Sequence, residues 1–210
     1  MTHLDKLIDE RRSIRKYRDE SPPDGWIKIM ILAAMKAPSP SNSQPVRFIR
    51  LRSFETRCLL HQAMRDGRER LLQALMETGG SKRLRNWLNG YYRFSEFMFQ
   101  APVLFAVGTS LKFISFSERL GRACKSEQGH TKHRDLDMAV GLALKGYLLK
   151  GEELGLGSCI LTAPLIFMEE PEKILSVSGI AIRCFLATGY PDEEPSYINR
   201  KDIADVYREI

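Results

Sequence analysis

Residues 11–17 read RRSIRKY, and residues 37–45, which follow one predicted helix later, read APSPSNSQP. Arg11, Ser13 and Arg15 alternate, so in an extended chain their side chains would point to the same side. Two guanidinium groups and a hydroxyl on one side suit a phosphate monoester, which carries about −1.5 to −2 charges near neutral pH. A solvated basic helix end is the alternative, because Arg and Lys favour helix C-termini through the helix dipole.

The second segment, residues 37–45, is rigid and polar. Its three prolines restrict the backbone. Its serine, asparagine and glutamine side chains offer hydroxyl and amide groups that can hydrogen-bond to a heteroaromatic edge. An ordinary surface loop has the same composition. The order of the two segments, with a helix predicted between them at 25–36, is what favours a binding site over two unrelated loops.

The order of RRSIRKY, a helix, APSPSNSQP and a strand at 46–51 resembles the start of the nitroreductase family of flavin-dependent oxidoreductases. Two later segments agree with this resemblance. ELGLGSC at 153–159 is similar to the family's central helix where it runs into a glycine-containing strand, and ATGYPDE at 187–193 is similar to its GYP turn. The resemblance implies an α+β fold of three layers, with a central, mostly antiparallel sheet flanked by helices and completed in a homodimer.

The resemblance also implies FMN as the cofactor, bound at the subunit interface, and NADH or NADPH as the co-substrate. Arg11 would hold the phosphate, Ser13 the phosphate or ribityl chain, and Arg15 the pyrimidine side of the flavin. The other implied cofactor-binding residues are Arg12 in the same segment, Pro38, Ser39, Pro40 and Asn42 from the partner subunit, Leu161, Thr162 and Ala163 along the isoalloxazine, and Arg200 and Lys201 near the phosphate.

The implied reaction is ping-pong. Hydride passes from NAD(P)H to flavin N5, and an electron-poor aromatic acceptor, such as a nitroaromatic or a quinone, then takes two electrons. No protein side chain is expected to be catalytic, because the cofactor carries the chemistry; Arg15 would give electrostatic support. Six aromatic side chains could form a flat acceptor pocket, and one or two of them are expected to touch the acceptor: Trp87, Tyr91, Tyr92, Phe94, Phe97 and Phe99.

Two alternative functions remain open. Within the same fold, the chain could catalyse other flavin chemistry, such as dehalogenation or flavin cleavage. It could also bind FMN without reductase turnover. Steady NAD(P)H oxidation driven by a nitroaromatic or a quinone would count against both.

Composition predicts one domain over residues 1–210, with a variable helical or loop excursion at about 110–134. The chain is 43% hydrophobic and carries a net charge of +6, with 26 acidic residues dispersed among the basic ones. No nucleic-acid-binding motif accompanies that charge, so no nucleic-acid partner is expected. The apolar runs are too short to span a membrane, and the N-terminus is charged, unlike a secretory signal.

Four scattered cysteines form no C-x-x-C unit, which predicts reduced thiols and a cytoplasmic protein. Cys159 and Cys184 lie in apolar runs and are expected to be buried. His130 and His133 are three residues apart, but no Cys or carboxylate motif accompanies them, so no metal site is predicted.

Apolar patterning predicts strands at 46–51, 102–109, 156–161 and 180–187. The middle two are nearly continuously apolar and are expected to be central in the sheet. Gly141, Gly146 and Gly151 in the long helix predict a close approach by another helix or a ligand, with loose bending of a monomeric helix as the alternative. The predicted helices are 3–12, 25–36, 53–65, 69–78, 82–99, 135–154 and 171–176.

Overall fold

The computed structural model of the protein describes residues 1–114, 116–124, 131–196 and 199–210. Within these residues, four strands form one antiparallel sheet in the order β1-β2-β4-β3: β1 (Val46–Arg50), β2 (Val103–Ser110), β3 (Gly157–Leu161) and β4 (Ile180–Gly189). The helices are α1 (His3–Glu10), α2 (Asp24–Met35), α3 (Phe54–Glu77), α4 (Lys82–Glu96), α5 (Phe116–Cys124), α6 (Thr131–Glu153), α7 (Pro164–Phe167) and α8 (Pro171–Ile174).

The sheet is the middle layer of three. On β2, Val103, Phe105 and Val107 point to the face that α2 and α6 cover. Leu104 and Ala106 point to the opposite face, which α3, α4, α7 and α8 cover. This two-residue alternation buries both faces of the strand. The predicted α+β architecture, with a central antiparallel sheet flanked by helices, is confirmed.

The prediction that residues 156–161 form a central strand was wrong. β4 lies between β2 and β3, which puts β3 at the end of the sheet order. Its apolar run has another cause. The extended segment after α1 covers the outer edge of β3, and the Ile14 N–H donates to the Ser158 carbonyl (3.2 Å). An edge strand covered in this way is buried almost as fully as an inner one.

The helices predicted at 53–65 and 69–78 are one continuous helix, α3. Gly67 lies between the two predicted helices, in the middle of α3. It packs against the backbone of α7, where a Cβ atom would overlap the carbonyl oxygen of Phe167. The glycine therefore allows close packing between two elements, and its cost to the helix is offset by that contact.

The central helix α6 packs closely on α2 of the same chain. A Cβ atom at Gly146 would lie 3.0 Å from the Ala33 carbonyl oxygen, and one at Gly151 would lie 2.6 Å from Met30 Cε. Gly141 has no such neighbour within 4 Å among the described residues. Two of the three glycines thus have a partner helix within the chain, and neither requires a second subunit.

The excursion at 110–134 is described in part. It contains α5, and α6 begins at Thr131, earlier than the predicted 135. His130 and the side chain of His133 lie outside the described residues, and so does the prediction made for them. Cys159 and Cys184 are buried, as predicted. Among the helices of the described ranges, none combines the length and apolarity needed to cross a membrane.

Candidate functional site

The RRSIRKY segment is extended, which is the condition under which its alternation would direct Arg11, Ser13 and Arg15 to one side. α1 is closed at its start by a capping box between Thr2 and Asp5, and it ends at Glu10, two residues before the predicted end. The chain then runs along β3, where Ser13 pairs with Ser158 in a parallel bridge. Ile14 is buried over Gly157, where a Cβ would clash with it. Because neighbours on an extended chain alternate, Ser13 and Arg15 face away from this buried side.

A cluster of three cations lies at the α1 end of this segment. The Nε of Arg11 is buried and has no hydrogen-bond partner in the part of the chain that the structure describes. The pKa of Lys145 on α6 is lowered first by burial and then by the positive charges of Arg11 and Arg200, so the three cations act on one another electrostatically. The charges of Arg11 and Arg200 disfavour the protonated form of Lys145, and a bound anion would relieve that repulsion. Arg11 also acts on the Glu152 carboxylate, whose pKa is raised chiefly by burial and is lowered in part by the charge of Arg11.

Lys145 is a residue that the sequence analysis missed. It is a single lysine in the ALKGY stretch at 143–147, among apolar and glycine residues of a helix. No local motif marks it, and a lysine on a helix surface is usually solvated. Its relation to Arg11 and Arg200 exists only after folding, because the three residues come from α1's end, α6 and the C-terminal segment.

A groove of about 470 Å³ runs beside Arg15. The end of β3 and the following residues form one wall, with Leu161, Thr162 and Ala163 in it. Tyr91, Phe94 and Ser95 on α4 form the other wall. We call this groove the ring groove; it is lined by Arg15, Tyr91, Phe94, Ser95 and residues 159–163. The structure therefore brings Arg15 together with residues 161–163, which are about 146 positions away in sequence.

Two of the six predicted aromatic side chains line the ring groove, Tyr91 and Phe94. The others have different places. Tyr92 is buried edge-on against Phe167, with ring centroids 5.7 Å apart. Phe97 and Phe99 pack against the same core, and Trp87 lies on the surface beneath the Arg83 guanidinium. Tyr91 lines the groove and Tyr92 is buried because successive side chains of a helix such as α4 point about 100° apart.

Beside the ring groove, Arg12, Ser13 and Arg15 line a second groove with Glu193. The Arg12 guanidinium donates to the carbonyls of Asp9 and Arg11, the latter at 3.0 Å, so it also closes the last turn of α1. Glu193 accepts from the backbone N–H groups of Arg15 and Lys16, the latter at 3.1 Å. The sequence analysis saw Glu193 only as part of the GYPDE turn and gave it no role.

The proline-rich segment lies elsewhere in the chain. Pro38 and Ser39 line a cavity of about 310 Å³ between the end of α2 and α6, and this cavity shares no lining residue with the ring groove in the described ranges. Pro40 begins a short 3₁₀ turn that includes Asn42, where Ser41, Asn42 and Gln44 have positive φ angles of 49°, 51° and 46°. Such conformations cost about 1–3 kcal/mol each for residues other than glycine, and they concentrate at functional sites.

The basic C-terminal residues Arg200 and Lys201 are both exposed. The positive charge of Arg200 lowers the pKa of Lys145, so Arg200 belongs electrostatically to the cation cluster. No three His, Cys, Asp or Glu side chains in the described part of the chain come together as metal ligands would.

Comparison with known proteins finds relatives over nearly the whole chain. Iodotyrosine deiodinase of Thermotoga neapolitana is 28% identical over 201 residues, which cover 94% of this chain and 94% of that protein. Two solved structures share the fold. A BluB-like flavoprotein from Clostridium difficile 630 superposes with a TM-score of 0.84 at 22% identity and covers all of both chains. An oxidized iodotyrosine deiodinase bound to FMN and 3-iodo-L-tyrosine superposes with a TM-score of 0.72 at 24% identity, covering 98% of this chain and all of that chain.

The family model described as "Nitroreductase family" matches residues 8–190, which include the extended segment, the proline-rich segment, the sheet and the start of the GYP turn. The chain belongs to the nitroreductase family.

Proposed function

We propose that the protein is an FMN-dependent oxidoreductase that takes hydride from NADH or NADPH and delivers two electrons to an electron-poor aromatic acceptor. The observation that carries this proposal is the buried Arg11 Nε, which has no hydrogen-bond partner among the described residues and lies in a cluster with Lys145 and Arg200. An anion with about two negative charges, such as a phosphate monoester, matches this cluster in charge and in hydrogen-bonding capacity.

The flat part of the cofactor fits the ring groove. Its walls offer the backbone of Leu161, Thr162 and Ala163 and the aromatic side chains of Tyr91 and Phe94. Backbone N–H groups can donate to a heteroaromatic edge, and Thr162 is the candidate donor nearest the middle of that wall. The cation cluster and the ring groove lie at the two ends of the same extended segment, so one elongated ligand can contact both.

When bound, FMN would supply hydride acceptance at N5 and subsequent electron transfer to the second substrate. The chain's own residues supply orientation and charge. Arg15 places a cation at the ring groove, where it would stabilise negative charge that accumulates on the pyrimidine side during reduction. Tyr91 and Phe94 are half exposed or more, and they offer planar apolar contact to an aromatic acceptor.

We propose a homodimer in which Pro38, Ser39, Pro40 and Asn42 of one subunit complete the site of the other. An apolar face on α2 and α6 supports this assembly, because its side chains are 44–61% exposed in the single chain: Ile29, Leu32, Met35, Met138 and Leu142. Exposed apolar side chains on two helices that pack together favour association, and an isologous contact would use them twice. The strained turn around Asn42 adjoins this face through the end of α2.

The absorption spectrum of purified protein, before and after anaerobic addition of NADH or NADPH, tests the reductase proposal. Flavin absorbance is expected to be present, to bleach on addition of one or both nucleotides, and to return when a nitroaromatic or quinone is added. Protein that neither carries flavin nor retains added FMN would contradict the proposal. A flavin that persists without bleaching would point to binding without turnover.

Dehalogenation is a second candidate, favoured by the similarity to iodotyrosine deiodinase over 94% of the chain. In that reaction the carbon–iodine bond of the substrate breaks, two electrons and a proton form the C–H bond, and iodide leaves. Reduced protein would be mixed with 3-iodo-L-tyrosine, and iodide release would be compared with the rate of nitroaromatic or quinone reduction. Iodide release at a higher kcat/KM than reduction of those acceptors would replace the reductase proposal.

Mixed dimers test the assignment of residues across the interface. A dimer with one Arg15→Ala chain and one Asn42→Ala chain would collect both defects in one site. The other site would be intact, so about half of the wild-type activity is expected. Loss of nearly all activity in the mixed dimer would show that Arg15 and Asn42 of the same chain serve one site.

A further inference from the structure

The extended segment is joined to the turn after β4 by a series of backbone contacts. The Arg18 N–H donates to the Tyr190 carbonyl (3.0 Å), and the Asp192 N–H donates to the Lys16 carbonyl (3.0 Å). Tyr17 and Pro191 form an antiparallel bridge between them. These contacts hold the residues that follow Arg15. Arg15 is the last residue before these backbone contacts begin, and its own backbone is held by a side chain.

That side chain is Glu193. Its Oε1 accepts from the backbone N–H groups of both Arg15 and Lys16, so one carboxylate oxygen holds two consecutive amides. Hydrogen bonds to an ionised acceptor are about twice as strong as those between neutral groups. The neighbouring acidic residue, Asp192, has a different partner, because it pairs with the Lys16 ammonium at 2.9 Å. The two carboxylates of the turn therefore have separable roles.

We propose that Glu193 is a positioning residue for the cofactor, which holds the Arg15 backbone at the ring groove and sets the net charge that a bound flavin experiences there. The inference rests on the proposed FMN function. Glu193 lines the groove beside Arg12, Ser13 and Arg15, so its carboxylate is at the same site as the cation it positions.

The charges of Arg15 and Glu193 both act on the Cys159 thiol. Cys159 lines the ring groove next to Arg15. The pKa of its thiol is raised chiefly by burial, and the charges of Arg15 and Glu193 act on the pKa in opposite directions, Arg15 lowering and Glu193 raising it. A reduced flavin, which carries more negative charge than the oxidised one, would be stabilised by Arg15 and opposed by Glu193 for the same electrostatic reason.

Three variants separate the hydrogen bonds from the charge. Glu193→Gln keeps an oxygen that can accept from both amides and removes the charge, whereas Glu193→Ala removes both. Asp192→Asn is the matched control, because it neutralises the adjacent carboxylate, which bonds the Lys16 side chain instead of the Arg15 backbone. Thermal unfolding of each variant establishes that it is folded before the comparison.

Amide hydrogen exchange on purified protein without added flavin measures the backbone contact directly. Glu193→Ala is expected to raise exchange at Arg15 and Lys16 about tenfold, while Glu193→Gln and Asp192→Asn remain within about twofold of wild type. Unchanged protection of both amides in Glu193→Ala would overturn the positioning role. This measurement needs no cofactor, so it decides the role of Glu193 even if the FMN proposal fails.

Flavin titration and the midpoint potential test the consequences for the cofactor. Glu193→Ala is expected to weaken FMN binding about tenfold, because the Arg15 backbone loses the charge-assisted hydrogen bond that holds it in place. Glu193→Gln is expected to restore binding to near wild type and to shift the flavin midpoint potential to a more positive value. A potential in Glu193→Gln that equals that of wild type and Asp192→Asn would overturn the charge half of the inference. Absence of FMN binding in wild type would overturn the proposed function instead.

Discussion

Replacing Arg11 with Ala is expected to weaken FMN binding far more than riboflavin binding. The Arg11 Nε is buried without a partner in the described structure, and Lys145 and Arg200 lie near it. Riboflavin lacks the phosphate that would occupy this cluster. A hydrogen bond to a charged group contributes about 1.5–3 kcal/mol, which corresponds to about 10- to 150-fold in Kd.

The lower half of that range is expected, because the two remaining cations compensate in part. Removing Arg11 also removes one of the charges that lower the pKa of Lys145, so the pKa of Lys145 moves back up toward its ordinary value. Lys145 then carries its charge with less repulsion and remains able to pair with the phosphate. The burial of Lys145, which is the larger cause of its lowered pKa, is unchanged.

Quenching of flavin fluorescence on titration with protein measures both dissociation constants. The control variant is Arg70→Ala, which removes the same charge from α3, on the other side of the sheet, where Arg70 pairs with Glu169 at 3.2 Å. Arg70→Ala should leave both constants within about twofold of wild type, as exposed ion pairs contribute little. An equal loss of FMN and riboflavin affinity in Arg11→Ala would refute the assignment of Arg11 to the phosphate and would indicate that Arg11 only supports the fold.

Three further outcomes are expected. Gly67→Ala should lower the free energy of unfolding in urea by about 1–3 kcal/mol, since its Cβ would overlap the Phe167 carbonyl. Gly90→Ala on α4, where a Cβ would have no described residue within 4 Å, should raise the free energy of unfolding by about 0.5–1 kcal/mol. Sedimentation should show a dimer at micromolar concentration, and Leu142→Glu on the apolar face should yield monomer; wild-type monomer with tightly bound FMN would contradict the shared site. Burial raises the pKa of the Cys184 thiol from 9.0 to about 12. As pH rises, the thiol therefore loses its proton in the unfolded chain before it does so in the folded one. The contribution of Cys184 to the free energy of unfolding is fully present below pH 9 and should be lost as pH rises toward 12. Cys184→Ala should lose less free energy of unfolding than wild type over that pH range. An equal loss in the two proteins would show that other groups cause the pH dependence.

Local sequence was sufficient for the elements and for the segments that carry the site. The alternation of Arg11, Ser13 and Arg15 indicated a shared side if the chain were extended there, and the chain after α1 is extended. The strand positions and the helix before the proline-rich segment were also predicted, because periodicity and proline act within a few residues. Each of these features depends on neighbours along the chain.

Errors arose where a residue's burial or spacing had a distant cause. The apolar run of β3 was interpreted as a central strand, but its edge is covered by Ile14 from the N-terminal segment. The helix α3 was predicted as two helices, 53–65 and 69–78, but Gly67 between them lies in a continuous helix and contacts Phe167, 100 positions later. In both cases the one-dimensional pattern records that a residue is buried or close-packed, and it contains no information on which element does the covering.

The sequence by itself determined the mixture of helices and strands, the basic segment and the family resemblance that implies the fold class, because these follow from periodicity, turn chemistry and motif order. Only the tertiary structure decided which residues share a site. It brought Lys145 to Arg11, chose Tyr91 and Phe94 from six aromatics, and turned Glu193 onto the Arg15 backbone. The physical reason is that charge and hydrogen bonding act through space over a few ångströms, and chain folding alone sets which side chains come within that distance.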